Sequence, residues 1–427
     1  MTAGYGELLR APHAARLLTG TLVGRLPNAT AALAVVLYTR AEGGSYALAG
    51  ALAAVYGLAT AVGQPLLGRA VDLYGQPRVM LPAALLSCLG MVLFVLVGLT
   101  PFPIPGAGTP WPAHAAMLIA GLFTPPLEGG LRALWPSVLK REDRVQAAYA
   151  LDAVAQELMF AVGPLFVTLL VAAWSETAAV LVINVAGVLG ALSVVVSEPS
   201  RRWRSEPRES HWLGALRSGG LLALLGTFFF VGLALGSIAV AAVAYADGHG
   251  GSTVSSYLLS ALGAGALVGG LAYGARPWQG EPEGRLRVLV ALLALGYLPL
   301  VLVPGVAAMT ALAAFAGVFL APALACAFTV VDRHAPRGTV TEAFSWLVTT
   351  FSVGASVGTA AAGPAVELGG AAAGFAVAGC GGVVGLLVIL ATRPVLTAPA
   401  PAPGAAAPSE NDRNGGVEPG FRSGHQA

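Results

Sequence analysis

Charged side chains are scarce in this sequence. Asp, Glu, Lys and Arg make up only 10% of its 427 residues, whereas soluble domains carry about 25%. Hydrophobic residues account for 56%. So little charge cannot cover the surface of a soluble chain of this length, and we therefore expect a protein that crosses a lipid bilayer several times.

Residues that build metal, redox and nucleotide sites are also few. The three cysteines stand singly in apolar runs without a CxxC pair, and we interpret them as small apolar residues. The six histidines fall in loops, tails or helix ends, which excludes an intramembrane metalloprotease with histidines at helical spacing. No Gly-x-x-x-x-Gly-Lys-Ser/Thr stretch indicates ATP use. We predict no metal, no cofactor and no enzyme, because a membrane enzyme or receptor would need a catalytic cluster or a sizeable soluble domain.

Long apolar runs are what the sequence has in abundance. Twelve can be drawn, and most have the roughly 20 residues that a spanning helix needs. They cover residues 17–39, 46–67, 79–100, 113–138, 146–173, 177–197, 218–245, 253–274, 286–304, 306–330, 340–363 and 369–391. The pattern predicts an all-α membrane protein with twelve transmembrane helices.

The twelve predicted spans fall into two sets of six. We expect an N-terminal six-helix bundle at 1–198, a cytoplasmic linker at 199–217, a C-terminal six-helix bundle at 218–393 and a disordered cytoplasmic tail at 394–427. Three short matches relate the halves at nearly one spacing: Ala120–Pro126 with Ala316–Pro322, Ala148–Tyr149 with Ala343–Phe344, and Tyr74–Gly75 with Tyr273–Gly274. Such matches favour a pseudo-symmetric repeat whose bundles rock about a central cavity.

The positions of the basic residues predict the orientation. All but three of the 23 Lys and Arg residues lie in the N-terminus, the even-to-odd loops, the linker or the tail. The exceptions are Arg25 and Arg132 inside spans and Arg40 on the opposite side. The positive-inside rule then places both termini in the cytoplasm of a multi-pass plasma-membrane protein. The basic cluster at 201–208 fits topology and anionic lipid better than nucleic acid.

A polar turn, Gly68–Arg78, separates the second and third apolar runs. It contains Gly68, Asp72 and Gly75 in a Gly-x-x-x-Asp-x-x-Gly pattern. Twelve spans in two halves with this turn resemble the major facilitator superfamily over about residues 10 to 393. The family's motif continues Gly-Arg-Lys, whereas this chain continues with Gln76, Pro77 and Arg78, so one basic residue is displaced and one is lost.

The resemblance implies that this turn is a gating loop. We expect it to latch through Asp72 and Arg78 against the start of span eleven, where Glu342 stabilises the helix N-terminus. The stretch Ala335–Ala343 resembles the start of span eleven in sugar- and drug-efflux members. Gly163–Pro164 is similar to the kink motif of drug antiporters, although a proline kink without a role in transport is an equal alternative.

Five ionisable residues lie inside the predicted spans, all in the first half: Arg25, Glu128, Arg132, Asp152 and Glu157. Such groups cost several kcal/mol to insert, so each needs a partner or a function. Counted from the cytoplasmic helix ends, Arg132 and Asp152 lie at ~9 Å and predict a salt bridge. Arg25 comes out at ~12 Å, and Glu128 and Glu157 at ~15–16 Å, near the midplane. Glu128 shares a helical face with Arg132, and the resemblance implies that it also meets Arg25.

Two cations face three acids in this set, which leaves one carboxyl without a full partner. A desolvated carboxyl without a cation can bind and release a proton near neutral pH. We predict Glu157 or Glu128 for this role, with Asp152 behind them. The alternative is that all five residues form one static network. The second half has no such charges and offers aromatic side chains, which are mostly packing or lipid-facing residues.

These observations favour a secondary active transporter. The resemblance and the surplus acid predict proton-coupled export of a small organic molecule, such as a drug, sugar or metabolite, by an antiporter with alternating access. The alternative is an importer or facilitator of the same fold. The expected partners are the small-molecule substrate, protons and the lipid bilayer, without nucleic acid or an obligatory protein partner.

Overall fold

A computed structural model describes residues 5–99, 111–207, 213–249 and 252–397, and all regular secondary structure in these ranges is helical. The helices of the first half are α1 (Tyr5–Arg10), α2 (Ala14–Ala41), α3 (Tyr46–Tyr74), α4 (Gln76–Leu99), α5 (Trp111–Leu122), α6 (Leu127–Leu139), α7 (Glu142–Ala173), α8 (Glu176–Val195) and α9 (Glu198–Arg202). Those of the second half are α10 (Gly219–Asp247), α11 (Ser252–Gly274), α12 (Pro282–Tyr297), α13 (Val306–Gly317), α14 (Leu320–His334), α15 (Val340–Ala391) and α16 (Arg393–Thr397). Two 3₁₀ helices, Gly214–Arg217 and Leu298–Leu302, complete the set.

Serine residues start three of the long helices. The side chains of Ser45, Ser175 and Ser218 each accept a hydrogen bond from the backbone N–H three residues later, at the first turns of α3, α8 and α10. Each such cap satisfies a backbone donor that has no partner within the helix. The apolar runs therefore become helices with defined first turns.

The number of spans can be compared with the twelve predicted. Nine helical segments of the described residues are long and apolar enough to cross a bilayer, and the two bent parts of α7 make ten. Helix α15 has 52 residues, with non-helical backbone angles at Gly369 and Gly370. At about 1.5 Å per residue it is more than twice as long as a bilayer core of about 30 Å is thick. Counting α15 as two spans and α5 with α6 as one gives twelve, which stays a prediction.

Spans four and ten are broken, although the sequence predicted them as continuous. The break between α5 and α6 covers residues 123–126, and the break between α13 and α14 covers residues 318–319. In the first break the Thr124 hydroxyl donates to the Ala120 carbonyl at 3.1 Å, and the Gln64 amide donates to the Thr124 carbonyl at 3.3 Å. Side chains therefore satisfy backbone groups that the broken helix leaves free.

Both breaks lie within the matched stretches Ala120–Pro126 and Ala316–Pro322. Each of these stretches contains a glycine at which the helix crosses a neighbour. A side chain on Gly121 would overlap the Tyr56 carbonyl of α3, and one on Gly317 would overlap the Leu262 carbonyl of α11. Only glycine allows helices to approach so closely. The crossings of α3 with α5 and of α11 with α13 thus occupy equivalent places in the first bundle (α2–α8) and the second bundle (α10–α15).

The polar segments meet at one end of the molecule, which we call the linker end. Residues of the predicted linker, including Arg202 and Arg204, line a surface there together with Lys140. The linker is partly helical, because it contains α9 and the 3₁₀ helix Gly214–Arg217. Helix α16 spans the predicted start of the tail at residue 394, and the rest of the tail, from residue 398, lies outside the described residues.

Candidate functional site

Four charged residues of the first bundle form one compact network, which we call the charge cage: Arg25, Glu128, Arg132 and Asp152. Arg25 Nε lies 2.8 Å from Glu128 Oε1, and its Nη1 lies 3.1 Å from Asp152 Oδ1. Arg132 Nε lies 2.6 Å from Asp152 Oδ2, and its Nη2 lies 3.5 Å from Glu128 Oε2. Each arginine therefore touches both acids, and the cage is electrically neutral.

The cage joins three helices and is almost sealed from solvent. Arg25 comes from α2, Glu128 and Arg132 from α6, and Asp152 from α7. Arg132 and Asp152 are fully buried, and the Glu128 side chain keeps 14% of its surface exposed. Arg132 Nη2 also donates to the Gln156 side chain at 3.2 Å. Charges removed from water to this extent persist only with such close partners.

Glu128 of the cage lies close to the start of α15. Its distance along the chain from the predicted end of span four predicts a position near the midplane. Its neighbour Gly129, however, lies against the start of α15, where an added Cβ would be 3.0 Å from the Thr341 carbonyl and 3.2 Å from the Ser345 hydroxyl. Helix α6 therefore continues past the start of α15 towards the linker end, and the depth of Glu128 in the membrane stays a prediction.

Glu157 is the acid that the cage leaves out. It lies five residues beyond Asp152 on α7, which is about 7.5 Å further from the linker end. Within the described part of the chain, no ion pair or hydrogen bond joins Glu157 to another residue. The buried hydroxyl of Tyr297, in the second bundle, is close enough to interact with it electrostatically. Glu157 thus faces the other bundle without a cationic partner.

Asp72 joins the two bundles at the linker end. Its two carboxylate oxygens accept hydrogen bonds from the backbone N–H groups of Thr341 at 3.1 Å and Glu342 at 2.9 Å. These donors belong to the first turn of α15, whose partial positive charge favours a carboxylate. Arg78, predicted to act with Asp72, is exposed and takes part in none of the described contacts of this latch.

The Gly68–Arg78 segment is mostly helical instead of being a polar turn. Residues up to Tyr74 continue α3, α4 begins at Gln76, and Gly75 alone, with φ of 87°, makes the connection. An L side chain rarely adopts this φ, which explains the second glycine of the pattern. The first, Gly68, leaves room for α15, since an added Cβ would lie 2.7 Å from the Ser345 hydroxyl.

Gln76 has a role that the sequence did not reveal. Its side chain is fully buried and donates from Nε2 to the Gly130 carbonyl of α6 at 2.9 Å. Its Oε1 accepts a hydrogen bond from the Ser200 hydroxyl of α9 at 2.8 Å. A neutral amide therefore ties α4, α6 and α9 together at the place where the family's motif has a basic residue.

The remaining motif residues also mark close approaches. An added Cβ on Gly163 would lie 3.1 Å from Thr30 Cγ2, so α7 passes close to α2 there. Pro164 is in the second part of α7, and the two parts of this helix are bent by 42°. Glu342 is buried in the first turn of α15, and Gly214 of the linker 3₁₀ helix lies against its carboxylate.

An aromatic cluster adjoins the cage between the bundles. The Arg132 guanidinium carbon lies 3.7 Å from the centre of the Phe328 ring of α14. The Tyr149 ring of α7 lies 6.2 Å from the Phe328 ring and 6.0 Å from the Phe344 ring of α15. The sequence alone predicts mainly packing roles for second-half aromatic residues, because no pattern within one span shows which face meets the other bundle.

A cavity of about 740 Å³ opens at the linker end between the bundles. Its walls include Gln146 and Tyr149 from the first bundle and Trp278 and Asp332 from the second. As for metals, no group of three or more His, Cys, Asp or Glu side chains in the described ranges is arranged to hold an ion.

The comparisons with known proteins agree with this architecture. The sequence profile of the Major Facilitator Superfamily matches residues 17–306, which is more than half of the chain. No curated protein sequence matches the chain.

Several solved structures share the fold. A bacterial homologue of the iron transporter ferroportin, solved in an outward-facing state, superposes with a TM-score of 0.72 at 12% identity over 89% of this chain and 99% of its own. The human organic anion transporter MFSD10 (TETRAN) gives 0.63 at 16% over 88% and 99%. The E. coli fucose:proton symporter FucP gives 0.64 at 13% over 88% and 97%. The chain therefore belongs to the Major Facilitator Superfamily, a family of membrane transporters.

Proposed function

We propose that this transporter exports a small organic molecule in exchange for protons and that Glu157 carries the proton. The observation behind this proposal is the division of the five predicted charges. Four of them neutralise one another in the charge cage, and Glu157 stands apart from it without a cation. A carboxyl in such a position binds and releases a proton more readily than one held by two guanidinium groups.

The position of Glu157 suits alternating access. It faces the second bundle near the Tyr297 hydroxyl, so a movement of one bundle against the other changes its surroundings. At the linker end the Asp72 latch joins the two bundles, and Val154 of the first bundle also approaches Gly270 of the second. We propose that Glu157 exchanges protons with the opposite side while the linker end is closed.

The export direction is supported by sequence resemblance and by helix geometry. The Gly163–Pro164 dipeptide resembles the kink motif of drug antiporters and lies where α7 approaches α2. The fucose:proton symporter illustrates that a protein of this fold can be coupled to protons, although in symport. We also propose that the linker end faces the cytoplasm of the plasma membrane, since the basic residues concentrate there.

The cage is then the rigid part of the first bundle. Because each arginine touches both acids, removal of one acid leaves a buried charge uncompensated, at a cost of about 3–5 kcal/mol. We therefore assign structural roles to Arg25 and Asp152, and we regard Glu128 as the second choice for a proton carrier, because it keeps some exposed surface.

The proposal is tested in two steps. A metabolite-export and drug-susceptibility screen, comparing a deletion strain with one that carries the gene, first identifies a substrate. Inverted membrane vesicles then measure uptake of that substrate driven by a proton gradient, and substrate exchange without a gradient. We expect Glu157→Gln to abolish gradient-driven accumulation and to preserve exchange. A glutamine side chain has nearly the same size as glutamate, so the substrate can still be exchanged, but it cannot carry a proton.

A matched control is Glu42→Gln, which removes an exposed acid at the end of α2. It should leave both activities unchanged. Normal gradient-driven uptake by Glu157→Gln would refute the assignment of Glu157. Gradient-independent, purely downhill transport by the parent protein would instead support a facilitator.

A further inference from the structure

We propose that Arg132 connects the charge cage to a gate that closes the transport path at the linker end. The gate consists of Arg132, Tyr149, Phe328 and Phe344. Two of these residues come from the first bundle and two from the second. The proposal requires only alternating access, and it depends neither on Glu157 nor on the identity of the substrate.

The geometry around Arg132 carries the proposal. One side of its guanidinium is fixed by Asp152 at 2.6 Å, and the other lies on the Phe328 ring at 3.7 Å. Its Nη1 is buried and has no hydrogen-bond partner among the described residues. An aromatic face is an attractive surface for such a cation, and more so where water is excluded. Closure of the second bundle onto the first therefore satisfies a charge that the cage alone leaves partly unpaired.

The repeat explains why these residues meet. Arg132 and Phe328 are separated by the same 196 positions as the glycines Gly121 and Gly317, at which spans four and ten cross their neighbours. A residue that contacts its own counterpart must lie on the axis that relates the two repeats. The rings of Tyr149 and Phe344, the second matched pair, also contact each other. The cluster thus sits on the pseudo-twofold axis, where a central path must pass.

The linker-end cavity shows what the gate separates. Tyr149 forms part of the wall of this cavity of about 740 Å³, while its ring contacts Phe328 and Phe344. Among the described residues that line this cavity, none belongs to the charge cage. The cluster therefore divides a vestibule at the linker end from the interior, and opening it requires that Phe328 leave the guanidinium.

The opening can be followed by double electron–electron resonance, which measures the distance between spin labels on Lys140→Cys and Gln279→Cys in a full-length chain without its native cysteines. Both labelled positions are exposed and line the vestibule from opposite bundles. We expect Phe328→Leu, Arg132→Lys and Asp152→Asn each to raise the ratio of open to closed molecules about 2- to 30-fold, which corresponds to about 0.5–2 kcal/mol of cation–π attraction.

Controls separate the gate from general packing. Phe315→Leu removes an exposed ring from the same broken span and should keep the parent distances. Phe328→Tyr keeps an aromatic face and should also resemble the parent. In the double variant Arg132→Lys/Phe328→Leu the ratio of open to closed molecules should change no more than in the more affected single variant. Both substitutions remove the same contact, so their effects should not add.

Two results would overturn the proposal. Parent distances in Phe328→Leu would show that the ring does not hold the vestibule closed. Additive effects in the double variant, or an open vestibule in Phe328→Leu with a closed one in both Arg132→Lys and Asp152→Asn, would show an aromatic plug without a link to the cage.

Discussion

Asp72 acts through its two oxygen atoms at the end of a helix. Both accept backbone N–H groups of α15, whose first turn has no other partner within the helix for these donors. The contact requires neither Arg78 nor the basic residue that this chain lacks. The family's usual charges can therefore be absent from this latch, because Asp72 binds the second bundle as a helix cap.

We expect Asp72→Ala to open the linker end, whereas Arg78→Ala should leave it closed. Loss of a capping side chain costs about 0.5–2 kcal/mol, so the open fraction should rise about 2- to 30-fold. The Lys140/Gln279 spin-label pair measures both variants under identical conditions. An equal effect of the two substitutions would restore the latch of Asp72 with Arg78 that the sequence predicted.

What the sequence could predict at this scale depended on distance along the chain. The pairing of Arg132 with Asp152 follows from their equal depth on consecutive spans, and the latch of Asp72 on span eleven came from resemblance. Gln76 could not be interpreted, because its partners Gly130 and Ser200 lie 54 and 124 positions away. No local pattern marks a glutamine that bridges three helices.

Glycine residues determine how closely the helices pack against one another. Apolar runs sufficed to locate the spans, but they could not show the breaks of spans four and ten. In both breaks the helix stops just after a glycine at which it crosses a neighbouring helix. Each break therefore depends on the contact between two helices and not on one sequence segment alone. This explains why composition predicted continuous helices.

We expect Gly317→Ala to destabilise the protein, because the added methyl group would overlap the Leu262 carbonyl of α11. Such overpacking costs about 1–3 kcal/mol. Gly263→Ala is the matched control on α11, where an added Cβ would have no atom within 4 Å. Thermal unfolding in detergent should show a lower midpoint for the first variant only. Equal midpoints would show that α11 and α13 can move apart without cost.

The two bundles share a backbone plan but differ in chemistry at the scale of the whole molecule. The first contains the ionisable residues of the charge cage and Glu157, and the second offers Phe328, Phe344 and the Tyr297 hydroxyl to them. Pairs of equivalent positions meet on the axis with different side chains, a cation against a ring. One bundle therefore supplies the charge and the other supplies the aromatic surface that contacts it. A movement of the bundles relative to each other changes the surroundings of this charge.

The distribution of basic residues gives the molecule its predicted orientation, and its exceptions have local explanations. Arg25 and Arg132 belong to the charge cage. Arg40, the remaining exception, donates to the Gly44 carbonyl at 2.7 Å within the loop after α2. Each of the three thus has a partner within the protein, and the remaining basic residues predict that the linker end faces the cytoplasm.

This orientation predicts the outcome of thiol labelling from the two sides of the membrane. In a chain without native cysteines, a membrane-impermeant maleimide should label Ala41→Cys in intact cells. It should label Glu206→Cys, in the linker, only after permeabilisation. Both positions are exposed, so access and not burial decides the result. The reverse labelling pattern would show the opposite orientation in the membrane. The vestibule at the linker end would then receive substrate from outside, as an importer requires.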